Sequence, residues 1–308
     1  MINLHEPNIS KKDLGYVKKC LESGWVSTSG IYIEKFEKNI AKFTNSKFAV
    51  ACINGTAALQ ISLQLADVNQ GDEVIVPSLT FIASVNAIKY NLAEPIFMDN
   101  DNYYTLDMNK VLEFLQNQTV TKIINTSNGK TKITINKKTK KIIKAVMIVH
   151  TFGNAADIEK ITQICKKKNI SIIEDAAESL GTFYNSGKYK NKHTGTVGLI
   201  GCLSFNGNKI ITAGGGGMIL TNNAKIASKA RYLISQAKND SLFYVHDELG
   251  YNYKLNNLQA SLGLSQFHRL RSYLSQKKRI HNRYKLNINK MLGLKISKGP
   301  SYSSNNHW

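Results

Sequence analysis

The chain has 308 residues, 42% of them hydrophobic and 20% charged, which suits one large or two ordinary globular domains and excludes a disordered polymer. No apolar run reaches the roughly 18–20 residues of a membrane span. The start, Met1-Ile2-Asn3-Leu4-His5-Glu6-Pro7, has no basic patch ahead of an apolar stretch, so a cytoplasmic protein is expected. The net charge is +20, yet only five of the 41 basic residues are arginine, the residue nucleic-acid readers favour for bidentate contacts, while lysine is spread along the whole chain. Nucleic-acid binding is therefore not expected. The runs Lys137-Lys138-Thr139-Lys140-Lys141, Lys166–Lys168 and Lys277-Lys278-Arg279 read as solvated faces, while the overall charge favours anionic ligands.

In chain order, Lys47–Ile53 predicts a strand and Thr56–Ala66 a helix, followed by a strand at Glu73–Val76 and a helix at Phe81–Tyr90. The pair repeats at Glu94–Met98 and Met108–Gln116, then at Ile143–Val149 and Asp157–Lys167, with another strand at Ile170–Ile173. Such alternation predicts an α/β protein with a mostly parallel sheet covered on both faces. Residues 119–142 break the rhythm with Asn128-Gly129 ahead of an alternating Thr-Lys-Ile-Thr-Ile, which predicts a surface hairpin. From Leu255 to about Met291 the pattern turns helical, with Leu258, Leu262, Phe267 and Leu274 near helical spacing. This long helix is expected to link a large domain (1–254) to a small, incomplete one (255–308), where Ser303–Trp308 looks like the entry to a strand that never arrives. Cys20, Cys52, Cys165 and Cys202 lie far apart without a Cys-x-x-Cys, against a zinc ribbon or a disulfide scaffold.

Three segments carry chemistry. Asn54-Gly55-Thr56-Ala57 follows a strand and opens a helix, where free N–H groups and the helix dipole form an anion site, although an ordinary capped helix would read the same. Glu174-Asp175-Ala176-Ala177-Glu178 sits at a strand's carboxyl end, where open α/β sheets bind ligands. A carboxylate held in that crevice requires a cationic partner, and Glu178 faces the same space if the segment turns helical. Ser204-Phe205-Asn206-Gly207-Asn208-Lys209, ahead of Gly214–Gly217, sets a hydroxyl and an amine beside a glycine loop. A lysine in a restricted site can form a Schiff base. Gly195-x-x-Gly198-x-x-Gly201 is not a dinucleotide loop, because its spacing and context are wrong.

These segments, with Pro77-x-x-Thr80-Phe81, His150-x-Phe152-Gly153-Asn154 and Gly250-Tyr251-Asn252-Tyr253-Lys254, resemble the DegT/StrS-type nucleotide-sugar aminotransferases, a branch of the fold-type I pyridoxal-phosphate enzymes. The resemblance extends over essentially the whole chain. It implies a pyridoxal 5'-phosphate cofactor held by Lys209, with Asp175 paired to the pyridinium nitrogen and Phe81 stacked on the ring. Gly55, Thr56, Ala57 and Ser204 would hold the phosphate, Glu178 would lie near the phenolic oxygen, and Asn252 would reach the neighbouring subunit's phosphate in a homodimer. The implied reaction moves the amino group of glutamate to C4 of a 4-keto-6-deoxy sugar. Ser-Phe-Asn-Gly-Asn-Lys and the His150 motif look most like the enzymes acting on UDP-linked N-acetylhexosamines of the legionaminic acid and bacillosamine type. A GDP-perosamine-type synthase and a shortened, non-catalytic member of the family are the competing readings. Related dehydrases carry histidine in place of the lysine, so Lys209 implies transamination.

Overall fold

Strands buried on both faces have to be apolar at every position, and Val146-Met147-Ile148-Val149 obeys that rule in full. The chain is described by a computed structural model covering residues 6–126, 129–240, 242–288 and 290–308. Seven strands form the central sheet: β1 (Phe48–Cys52), β2 (Glu73–Pro77), β3 (Glu94–Met98), β6 (Ile143–Val149), β7 (Ser171–Asp175), β9 (Ile200–Ser204) and β10 (Gly217–Thr221). Their order is β1-β10-β9-β7-β6-β2-β3, and β10 alone runs against the others. The expected mixed, mostly parallel sheet is thus observed, and its parallel strands all end at one edge.

Successive residues of each strand point to opposite faces, which divides the core. Val50, Val74, Met147 and Ile173 pack on one face beneath α3 (Gly55–Leu65), α4 (Ile82–Tyr90) and α7 (Ala224–Ile234). On the other face Ala49, Ala51, Leu203 and Met218 pack beneath α2 (Ile31–Thr44) and α8 (Asn257–Phe267), while Ile75, Val146, Ile148 and Ile172 pack beneath α5 (Met108–Asn117) and α6 (Glu159–Lys168). Helix α1 (Lys11–Glu22) lies against α8. All four cysteines are buried and free. No described helix is long and apolar enough to cross a membrane.

The expected hairpin is present as β4 (Thr119–Thr126) paired antiparallel with β5 (Gly129–Asn136); Asn128 of its turn lies outside the described residues, as does the Met1–His5 start. Two expectations need correction. The long helix from Leu255 is two helices, α8 and α9 (Leu270–Ile288), parted at His268-Arg269, and the Asn256 side chain caps the first by accepting from Gln259 N–H at 2.8 Å. Periodicity spans a break of this kind because the apolar spacing resumes in phase beyond it. Ser303-Ser304 does arrive as a strand: it forms β11, antiparallel to β8 (Phe183–Tyr184). Its pairing partner lies some 120 residues earlier in the chain, beyond the reach of any local pattern.

The glycine spacing at 195, 198 and 201 has a packing explanation. A Cβ at Gly198 would stand 2.6 Å from Ile172 O, and one at Gly201 would overlap Gly195 O. These glycines let the segment ahead of β9 lie directly on its neighbours.

Candidate active site

Five strand ends converge at the shared carboxyl edge, the location where open α/β sheets bind ligands. Asn54 and α3 follow β1, Thr80 and Phe81 follow β2, and His150 follows β6. Asp175 ends β7 and Ser204 ends β9. Between them lies a cavity of about 320 Å³, which Lys209 enters from the turn after β9 and which Gly215 and Gly216 border from the turn before β10. Its size falls within the range of small-molecule sites.

At the end of the cavity where α3 begins, Asn54 caps the helix: its side-chain oxygen accepts from Ala57 N–H at 2.8 Å. Thr56 lines the cavity, and among the described residues no hydrogen bond engages its hydroxyl. The first-turn N–H groups of Gly55 and Thr56 have no acceptor in the preceding turn, which makes this edge a receptor for an anion. A Cβ at Gly55 would crowd Ser204 Cβ at 3.0 Å, so the glycine keeps the Ser204 side chain against the helix start.

At the other end Asp175 is 5% exposed. Ser84 Oγ–H donates to Oδ2 at 2.6 Å and Ala177 N–H to Oδ1 at 3.1 Å, yet no cationic side chain among the described residues pairs with it. A buried carboxylate so arranged is a receptor for a ligand cation. Lys209, its side chain 14% exposed, holds Nζ 3.7 Å from Glu178 Oε1, and Phe152 N–H donates to Glu178 Oε2 at 2.7 Å. Burial pushes the Glu178 carboxyl up; the Phe152 N–H and the Lys209 charge offset part of that, and Asp175 adds to it. Glu178 faces the cavity although the chain after Asp175 forms a turn and not a helix.

Of the residues singled out in the sequence, Gly55, Thr56, Phe81, Asp175, Glu178, Ser204 and Lys209 line this one cavity. Ala57 does not line it, since its N–H is used by the cap, and Asn252 is exposed outside it. Phe81 is 74% exposed and borders the cavity. Glu174, adjacent to Asp175, points the opposite way: Gly195, Val197 and Gly198 donate N–H to it, and His150 Nε2 lies 2.9 Å away. Because Ala156 N–H donates to His150 Nδ1, the neutral ring carries its proton on Nε2 and donates it to Glu174. Sequence reasoning missed that pair, the Ser84 contact and the presence of Trp308 in the cavity. Strand alternation alone signals that Glu174 and Asp175 face opposite sides.

A model of the DegT/DnrJ/EryC1/StrS aminotransferase family matches residues 7–308. The chain belongs to that family. It is 40% identical over 292 residues to a GDP-perosamine synthase of Escherichia coli O157:H7, a match covering 94% of this chain and 72% of that protein. It is 34% identical to EpsN of Bacillus subtilis (strain 168), whose name places it among pyridoxal phosphate-dependent aminotransferases, over 100% of this chain and 74% of that one. Among solved structures it resembles the aminotransferase TlmJ from Streptoalloteichus hindustanus, with a TM-score of 0.85 at 25% identity, covering 100% of this chain and 77% of that one. The fold is accordingly that of a fold-type I aminotransferase, and the family's cofactor is pyridoxal phosphate. The cavity suits it: a buried unpaired carboxylate for a pyridinium, an amine for an aldehyde, and an uncovered helix start for a phosphate.

Proposed function

We propose that this aminotransferase moves an amino group from glutamate to C4 of a nucleotide-linked 4-keto-6-deoxy sugar, for the synthesis of a surface polysaccharide or glycan. The observation that carries the reading is the convergence of Lys209 and Asp175 on one enclosed cavity whose far end is a helix N-terminus. Pyridoxal phosphate supplies an electron-withdrawing ring that carries the amino group between donor and acceptor. Asp175, held by Ser84 and Ala177, keeps a negative charge at the ring-nitrogen end. Gly55, Thr56 and Ser204 bind the phosphate, and Phe81 covers the ring. Lys209 Nζ takes and returns the proton that moves at the substrate carbon, and Glu178, 3.7 Å away, holds or releases the compensating proton.

The nucleotide is the finer part of the proposal. The names of the GDP-perosamine synthases of Escherichia coli O157:H7 and Vibrio cholerae, 40% and 35% identical, favour GDP, whereas the Ser204–Lys209 and His150 motifs favour a UDP-linked N-acetyl sugar. A homodimer belongs to the same reading: Leu79, Phe81 and Ile82 expose apolar surface beside the cavity mouth, and Asn252, exposed on this chain, serves the neighbouring copy. The test offers GDP- and UDP-linked 4-keto sugars with glutamate and reads product mass. An amine gained on one of them, and lost with Lys209→Ala, supports the proposal; 2-oxoglutarate release without amination of any sugar refutes the acceptor class.

A further inference from the structure

Glu174 and His150 are wholly buried at the sheet edge, and no step of the proposed reaction uses either. The His150 ring is held at both nitrogens, by Ala156 N–H at 3.1 Å on Nδ1 and by Glu174 Oε2 at 2.9 Å from Nε2. It thereby spans the turn Thr151–Gly153, joining residue 150 to residue 156. Inside that turn Phe152 takes φ 54° and ψ 26°. Left-handed backbone is unfavourable for a bulky side chain and persists only where neighbouring structure imposes it. Gly153 N–H donates to His150 O at 3.2 Å and Thr182 Oγ–H to Gly153 O at 2.8 Å, so the turn is held from both sides. The outcome is one N–H directed at the acid of the cavity: Phe152 donates to Glu178 Oε2 at 2.7 Å.

We infer that His150, anchored by Glu174, is the positioning residue for Glu178: it fixes the turn that keeps Phe152 N–H on the carboxylate opposite Lys209. This rests on the proposed function above, in which Glu178 exchanges a proton across from Lys209. An N–H donor favours the ionised carboxylate, whereas burial and the nearby Asp175 favour the neutral acid. Phe152 N–H and the Lys209 charge oppose that preference. The lysine charge disappears whenever Nζ gives up its proton, so the Phe152 N–H is the constant part of the opposition. Glu174 is the fixed end of the relay, because Gly195, Val197 and Gly198 already hold it with three N–H groups. The titratable groups facing the relay are Glu174 and His193 toward His150, Tyr184 and His193 toward Glu174, and Lys209 and Asp175 toward Glu178. Loss of the ring frees residue 150 from residue 156, lets Phe152 leave its left-handed conformation, and removes the donor from Glu178.

Two measurements on the full chain test this. In the cofactor-free protein with ¹³C-labelled glutamate, carboxyl resonances are followed against pH, the Glu178 signal being the one missing from Glu178→Gln. His150→Ala should raise the Glu178 midpoint, its proton affinity growing about tenfold, the size of one hydrogen bond to a charged group. His150→Gln, whose amide still donates to Glu174, should recover most of that shift, and it replaces the alanine variant if the latter does not fold. It should then show a smaller shift in the same direction. An unmoved Glu178 midpoint in a cooperatively melting variant overturns the inference. In the protein loaded with pyridoxal phosphate, visible absorbance against pH reports the proton on the nitrogen of Lys209. His150→Ala should lower that midpoint in the natural background and leave it unchanged in Glu178→Gln, because the effect passes through that carboxyl. Equal shifts in both backgrounds overturn the inference, since His150 then acts on the cofactor directly. A natural protein that gains no visible band with pyridoxal phosphate overturns the proposed function, and the carboxyl titration then decides the inference by itself.

Discussion

Lys209 and Glu178 face each other across 3.7 Å inside a cavity, and the Lys209 charge offsets part of the burial that raises the Glu178 carboxyl. Replacing Lys209 with Ala removes the only amine lining the cavity among the described residues. Borohydride reduction in the presence of pyridoxal phosphate should then add the cofactor's mass to the natural protein and not to the variant, with amination down more than about 1,000-fold. Glu178 has a folded-state carboxyl raised above its ordinary value, with burial as the leading cause. A raised carboxyl contributes stability below the ordinary value of 4.5 and loses it as pH rises through the folded value. Glu178→Gln should therefore melt higher than the natural protein at pH 8 in the absence of cofactor, and the gap should close by pH 4. A variant that melts lower at pH 8 would show that the Lys209 pairing outweighs burial.

At the scale of elements, the edge of the sheet is organised by carboxylates on opposite faces of β7. Glu174 ties the loop after β6 to the segment before β9, and Asp175 faces the ligand. Burial raises Glu174, but the His150 hydrogen bond and the N–H groups of Gly198 and Gly195 outweigh it, leaving the carboxyl below its usual value. Its stabilisation is present above that usual value and lost as pH falls through the folded one. His193, packed edge-on to Phe183, reinforces the acid sensitivity. It accepts Gly181 N–H at Nε2 while Nδ1 faces Thr194 O, and burial depresses it to about 4. A depressed imidazole stabilises the fold above 6.5 and loses that contribution as pH falls toward 4. Denaturant unfolding should therefore show stability lower by about 2 kcal/mol at pH 4.5 than at pH 7 from this imidazole alone. A His193 resonance that titrates near pH 6.5 would contradict the burial argument.

At the scale of the whole molecule, the start of the chain is tied to its helical end by contacts between α1 and α8. Asp13, 1% exposed in α1, accepts from Ser265 Oγ at 2.6 Å and from Gln266 Nε2 and Arg269 Nη1 at 3.0 Å. Removing one member of a buried charged cluster strands the rest, so Asp13→Ala should cost about 3 kcal/mol and raise amide exchange in both α1 and α8. Unchanged exchange in α8 would show that the two helices are held by apolar packing alone. Helix α8 packs against both α1 and α2. The +20 charge resolves at this scale into dispersed surface lysines: Lys137, Lys138, Lys140 and Lys141 are all exposed, as are Lys166 and Lys167.

The alternation of apolar runs and amphipathic stretches, a property of neighbouring residues, determined the sheet and its covering helices. The motifs at 54–57, 174–178 and 204–209 determined most of the site, because each sits where a strand ends and a parallel sheet brings its strand ends together. Only the tertiary structure decided which face each acid took, where the helix after Leu255 broke, and that Ser303-Ser304 would pair with β8. Trp308 belongs with these: it stands about 100 residues from Lys209 in sequence and 4.6 Å from it in space. Local patterns record the period of an element and the chemistry of its ends. Contacts between distant segments are set by how buried surfaces and unpaired polar groups find partners across the whole fold, and no short window of sequence contains both partners.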